Sequence, residues 1–371
     1  MKRISFCCDG TWNRLDAPNS TNVVKLVKYI LPTAADGTAQ VNYYDEGVGA
    51  RSTSRFPKID KVLSGMFGWG LMDRLEAAYR FLVFNYDPGD EIFIFGFSRG
   101  AYTARSLAGL IRNCGIPRQS NAHRMHEAIA RYRSRDPSDH PDSDSICKLR
   151  SELSPNLYLN DNELKWRKKN ISNFKPDECR QLTIRYVGVW DTVGALGVPR
   201  HLVISSLFNK KYQFHDDKLS STVKSARHAV AIDERRRAFE PALWSNCDVL
   251  NHGAAQTAGG EAFQQVWFPG DHSSIGGGGD EAGLANASLV WIIEGAEIAG
   301  LKFLPEAVRQ FNDGVNHLAP VVSSKPPAWY YKEGPRRGPQ RVDELAPITL
   351  QRWHDDESYR PETLSQVANY I

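Results

Sequence analysis

Glu91-Ile92-Phe93-Ile94-Phe95-Gly96-Phe97-Ser98-Arg99-Gly100 joins an apolar run to a serine set between two glycines. Residues 91–95 have the length and composition of a buried strand, and residues 101–112 beyond them read as a buried helix. A G-x-S-x-G pentapeptide between a strand and a helix marks a sharp turn that exposes the serine Oγ. The glycines relieve contact between neighbouring elements, and the backbone N–H of Arg99 is aimed at a developing oxyanion. Three fixed positions recur by chance in many chains, so the flanking strand and helix carry the reading.

Toward the N-terminus, residues 4–8 and 41–44 form two more short apolar runs, each ending in a glycine-containing loop. Asn19-Ser20-Thr21-Asn22 offers N-caps for a helix over 23–31, and residues 71–85 carry apolar positions at helical spacing. Strands alternating with helices imply a mainly parallel sheet with functional loops at the strands' C-terminal ends. In that order the loop after residues 4–8, Asp9-Gly10-Thr11-Trp12-Asn13, takes the place of an oxyanion loop beside the nucleophile strand. An N–H of Gly10 or Thr11 is expected to complete the hole begun by Arg99. Asp9 and Asp45, at the ends of the first two strands, are the expected substrate-binding carboxylates, although Asp9 also suits a turn-bracing role.

A nucleophilic serine needs a histidine base, and the base needs an orienting carboxylate. Asp191 terminates the apolar run 182–190, where the acid of such a relay belongs. His272 follows the strand-like run 264–268 inside Gly270-Asp271-His272-Ser273-Ser274-Ile275-Gly276-Gly277-Gly278-Gly279, a loop able to carry an imidazole toward the serine. Residues 222–238 read as a helix, which leaves His228 a structural role. Asp271 is a rival acid, but as the neighbour of His272 its side chain is expected to point elsewhere. Residues 285–301 read as a further helix.

Residues 118–180 are polar, rich in Arg, Asp, Ser and Asn, and read as a partly helical insertion, either a lid or a surface decoration. Residues 323–371 read as a C-terminal extension packed on the core. The expected architecture is a single α/β-hydrolase-like domain over 1–371: a mostly parallel central sheet flanked by helices, with that polar insertion.

Composition narrows the partners. Charged residues make up 24% and the formal net charge is +3, with no basic, aromatic-interleaved stripe, so no nucleic-acid partner is expected. The six cysteines form no CxxC pair, which indicates neither a zinc site nor a disulfide framework. No metal or cofactor is expected. The apolar run at residues 4–8 is too short for a signal-peptide core, so synthesis in the cytosol is expected, with any export by another route. Phe67, Trp69 and Trp329-Tyr330-Tyr331 would suit peripheral contact with a lipid interface, against the plainer role of core packing.

The ordered motifs together resemble a bacterial and fungal α/β-hydrolase family that includes the class-one phospholipase effectors of type VI secretion. The resemblance lies in Phe6-Cys7-Cys8-Asp9-Gly10-Thr11-Trp12-Asn13, Tyr44-Asp45-Glu46-Gly47-Val48-Gly49, Gly96-Phe97-Ser98-Arg99-Gly100-Ala101-Tyr102, Gly188-Val189-Trp190-Asp191-Thr192-Val193 and the glycine-rich loop around His272. Asp233-Glu234-Arg235-Arg236 also matches its pattern. The resemblance implies a Ser98–Asp191–His272 triad and hydrolysis of a phospholipid acyl ester. Two other readings compete. A hydrolase fold with a dead site could serve as a binding or toxin-partner scaffold, though nucleophile, acid and base candidates are all present. Asp9-Gly10-Thr11 superficially resembles an aspartate-nucleophile phosphatase, but Thr11 stands where a second aspartate is needed.

Overall fold

The computed structural model describes residues 1–10, 13–47, 66–194, 218–321 and 333–371. Thr11, Trp12 and Trp329-Tyr330-Tyr331 lie outside the described residues, as do the side chains of Phe67 and Trp69.

Six parallel strands form the centre of the molecule: β1 (Arg3–Cys8), β2 (Gln40–Asp45), β3 (Glu91–Phe97), β6 (Ile184–Trp190), β7 (Ala226–Ala231) and β8 (Phe263–Phe268). Their spatial order is β2-β1-β3-β6-β7-β8. Connections leave β1 toward β2 on one side and reach β3 on the other, so the order reverses between β1 and β3. A crevice opens outside the strand ends at such a reversal.

Alternation along the strands supplies two apolar faces. Ile4, Phe6, Ile92, Ile94, Val187 and Val189 face one way, against α2 (Met66–Asn85) and α3 (Arg99–Cys114). Cys7, Phe93, Phe95, Phe97, Tyr186 and Trp190 face the other, against α1 (Asn22–Tyr29) and α9 (Gly283–Ile298). With both faces covered, the inner strands are apolar at nearly every position, which is why they read as continuous runs. The fold is α/β-hydrolase-like.

One expected element is corrected. Residues 222–238 contain no α-helix; their centre is β7, buried at every position and paired in parallel with both β6 and β8. Alanine-rich sequence favours helix intrinsically, but pairing on both edges and burial on both faces override that preference.

The polar insertion folds as α4 (Met125–Arg133), α5 (Asp144–Leu153), α6 (Asp161–Asn170) and a small parallel pair, β4 (Leu157–Tyr158) with β5 (Arg180–Gln181). Its anchors gather at the C-terminal part of α3. Asn113 Nδ2 donates to the Asp139 carbonyl at 2.9 Å, and Arg150 Nη1 donates to the Asn113 carbonyl at 2.9 Å. Ser98 immediately precedes the opposite end of that helix. Inside the insertion Glu163 is buried between two buried arginines, accepting from Arg150 Nε at 3.0 Å and from Arg167 Nη2 at 2.6 Å. Beyond residue 332 the chain crosses the end of β7 and β8, where Leu345, Tyr359, Leu364 and Val367 pack on Val230 and Trp267.

Removing the carboxylate from that buried triad leaves two guanidinium groups without compensation. Glu163→Ala is expected to cost roughly 3–5 kcal/mol, read as a lowered urea midpoint at neutral pH.

Candidate active site

The serine turn is built by close approach. A Cβ on Gly96 would lie 2.6 Å from the Cα of Ala101, and one on Gly100 would land on the carbonyl oxygen of Cys8 at the end of β1. Glycine at both positions lets α3 start directly over the sheet. Ser98 between them has φ 58° and ψ −121°, a conformation that costs a non-glycine residue of order 1–3 kcal/mol. Its N–H donates to the Trp190 carbonyl at 3.0 Å, which ties the turn to the end of the neighbouring β6.

Asp191 follows Trp190 and is fully buried, also at positive φ (35°). Its Oδ1 accepts from the Ala231 N–H at 3.0 Å and from Arg336 Nη1 at 2.8 Å, and its Oδ2 faces His272 Nδ1 at 2.6 Å. Burial alone would raise its pKa. The charge of Arg336 and the hydrogen bond from His272 outweigh that and hold the carboxyl well below the usual carboxylate range.

His272 opens α8 (His272–Gly276), just after β8. Its Nε2 lies 2.7 Å from Ser98 Oγ. The ring stands between Phe97 and Phe239, with centroids 4.6 and 4.8 Å away. Asp271 caps α8 by accepting from the Ser274 N–H at 2.8 Å, so its carboxylate is turned along the helix rather than onto the imidazole. Asp233 fixes the approach by accepting from the Gly270 N–H at 2.6 Å. From α1, Asn22 Nδ2 donates to the Ile275 carbonyl at 2.8 Å. The structure thus brings Ser98, His272 and Asp191 into one hydrogen-bonded line from three strand ends.

The loop after β1 borders this line, since a Cβ on Gly10 would come within 3.3 Å of the Ser98 Cβ. The Gly10 N–H, however, donates to Asp9 Oδ1 at 2.7 Å. Asp9 Oδ2 accepts from Thr21 Oγ1 at 2.7 Å and from the Tyr44 hydroxyl at 3.0 Å. Burial pushes the Asp9 pKa up to about 6 against these hydrogen bonds. Asp45 is paired with Arg74, which also reaches the carbonyls of Glu46 and Gly47. Both expected substrate-binding carboxylates are therefore engaged in holding loops together. Arg99 is the first residue of α3, at the positive end of the helix dipole.

His228 is a buried residue of β7 rather than of a helix. Its Nε2 accepts from the Thr192 N–H at 3.2 Å and its Nδ1 faces Gln265 Oε1 at 3.0 Å, so it braces the turn that carries Asp191. Sequence reasoning missed Arg336 altogether. It sits in a proline- and arginine-rich stretch without periodicity, and no local signal distinguishes it from Arg337.

A Ser–His–Asp line at the C-terminal ends of a parallel sheet places the protein among α/β-hydrolase-like folds. A family model for the type VI secretion phospholipase effector Tle1-like catalytic domain matches residues 2–295, and the chain belongs to that family. It is 28% identical over 250 residues to the uncharacterized protein YEL023C of Saccharomyces cerevisiae, covering 64% of this chain and 32% of that one. An uncharacterized protein from Pseudomonas aeruginosa aligns over 85% of this chain and 49% of its own at 17% identity, with a TM-score of 0.43. The Tle1 effector bound to the VgrG spike from the type 6 secretion system aligns over 74% and 51% at 18% identity, with a TM-score of 0.33. The chain spans about a third of the yeast relative and about half of each of these two structures.

Burial, aided by the charge of Arg105, pushes the His228 pKa down to about 3, from an ordinary value of 6.5. Between these values the unfolded chain binds a proton that the folded protein refuses. Stability is therefore full above pH 6.5 and declines as pH falls toward 3, by roughly 1.4 kcal/mol per pH unit for this one group. His228→Gln is expected to flatten that slope in urea titrations between pH 7 and pH 4; an unchanged slope would assign the acid sensitivity elsewhere.

Proposed function

We propose that the protein is a serine carboxylic-ester hydrolase acting on phospholipid acyl esters through an acyl-enzyme. The observation that carries this is the continuous relay from Ser98 Oγ through His272 Nε2 and Nδ1 to Asp191 Oδ2, at 2.7 and 2.6 Å. Membership of a phospholipase effector family supports the choice of lipid ester over other esters.

Ser98 Oγ attacks the ester carbonyl carbon while its proton passes to His272 Nε2. Asp191 holds the imidazolium through Nδ1–H and keeps the ring in the tautomer that leaves Nε2 able to accept. The carbonyl oxygen becomes the oxyanion and is met by the Arg99 N–H at the start of α3. The second donor comes from the loop after β1, whose Gly10 borders Ser98. The carbon–oxygen bond to the alcohol then breaks, and the leaving lysolipid takes the proton from His272. Water attacks the acyl-enzyme, gives its proton to His272, and releases the fatty acid as Ser98 recovers its hydrogen.

Incubation of the purified protein with a panel of phospholipids and short-chain esters is expected to yield lysolipid and free fatty acid by mass spectrometry. Ser98→Ala should abolish both products and fluorophosphonate labelling; labelling that persists at another residue overturns the assignment. Asp191→Asn should lower turnover roughly ten-thousand-fold, whereas Asp271→Asn, which keeps a good helix cap, should leave it near the unmodified rate. The reverse pattern would make Asp271 the acid.

A further inference from the structure

The family match ends at residue 295, yet a residue well beyond it reaches the relay. Arg336 is buried, and its Nη1 donates to Asp191 Oδ1 at 2.8 Å and to the Ala231 carbonyl at 3.0 Å. Its Nη2 makes a longer contact to Asp191 Oδ2 at 3.4 Å and donates to the Phe239 carbonyl. The segment that carries it is pinned by the Gly334 N–H, which donates to the Arg235 carbonyl at 3.0 Å. The guanidinium and the imidazole of His272 thus hold the same carboxylate from two sides.

That competition has a chemical consequence. A carboxylate facing only an imidazole concentrates its charge there and favours the imidazolium even before substrate arrives. A second cation on the carboxylate dilutes that pull, while its fork fixes the carboxylate plane for Nδ1. We propose that Arg336 is a positioning residue for ester hydrolysis: it orients Asp191 and takes up part of the carboxylate's charge, so that the His272 imidazole is set to accept the Ser98 proton. This rests on the serine-hydrolase reading above.

The other charged groups around the pair do not duplicate this role. Glu234 accepts from the His272 N–H at 3.4 Å and is paired with Arg236 at 2.6 Å. Asp271 caps α8, and Asp9 braces the loop after β1. On the β7 side Asp191 is approached by His228, which burial keeps neutral, with Arg105 beyond it. Among the described residues, Arg336 is the permanently charged cation in direct contact with Asp191.

The test is the pH dependence of kcat/KM on a soluble short-chain ester from pH 5 to 9, alongside the rate of fluorophosphonate labelling of Ser98. For Arg336→Met the acid limb of both profiles is expected to move to higher pH by about one unit, with a lowered plateau. Arg336→Lys, which retains the charge but loses the fork, is expected to keep the acid limb of the unmodified protein and lose only plateau rate. A limb in Arg336→Met that coincides with the unmodified one, or a limb in Arg336→Lys that moves as far as that of Arg336→Met, overturns the proposal. Should Arg336→Met not fold, Arg336→Gln takes its place in the same comparison, and Arg336→Lys still decides by its limb. Absence of Ser98 labelling in the unmodified protein would instead refute the nucleophile assignment, so the two failures are distinguishable.

Discussion

The start of α3 crosses the end of β1 with no room for a side chain between them, and the rest of the site is arranged around that crossing. Gly100 lies against the Cys8 carbonyl and Gly96 against the backbone of Ala101. The chain must therefore reverse within one residue, and that residue, Ser98, carries the strain as a positive φ. A strained turn of this kind persists when its surroundings over-determine it. Here the central pair β1 and β3, the bond to Trp190 and the apolar faces on both sides do so.

Burying the relay creates an electrostatic demand that the fold meets in two ways. Asp191 is ionised in the interior and is surrounded by a backbone N–H, an imidazole and a guanidinium, which together outweigh desolvation. Among the described residues Asp9 receives hydrogen bonds and no cation, and its pKa stays raised by burial. Two buried aspartates one turn of architecture apart thus serve different ends. Asp191 faces the imidazole of His272, and Asp9 holds the loop that borders Ser98.

The strands were legible where burial on both faces leaves continuous apolar sequence, as in β1, β3 and β6, and the serine turn was legible from its glycines. His272 could be singled out because a glycine-rich loop follows a strand, and Asp191 because it ends one. β7 was not legible: Ala226-Arg227-His228-Ala229-Val230-Ala231 has helical composition, and only pairing with β6 and β8 makes it extended. For Asp9 the turn-bracing role was one of two readings open, whereas the pairing of Asp45 was out of reach, because a carboxylate at a strand end looks the same whether it meets a ligand or Arg74.

Local sequence determined the elements whose signals are local: apolar runs, helix caps such as Thr21, and the steric pattern of glycine around Ser98. Tertiary structure alone decided which distant groups share one carboxylate. Arg336 is 145 residues from Asp191 along the chain, in a stretch with no periodic pattern, and a charge in such a stretch carries no mark of its destination. Its place is set by the packing of Leu345, Tyr359 and Leu364 on the end of the sheet, because the energy that directs a tail to its site is distributed over contacts that do not exist until the sheet has formed.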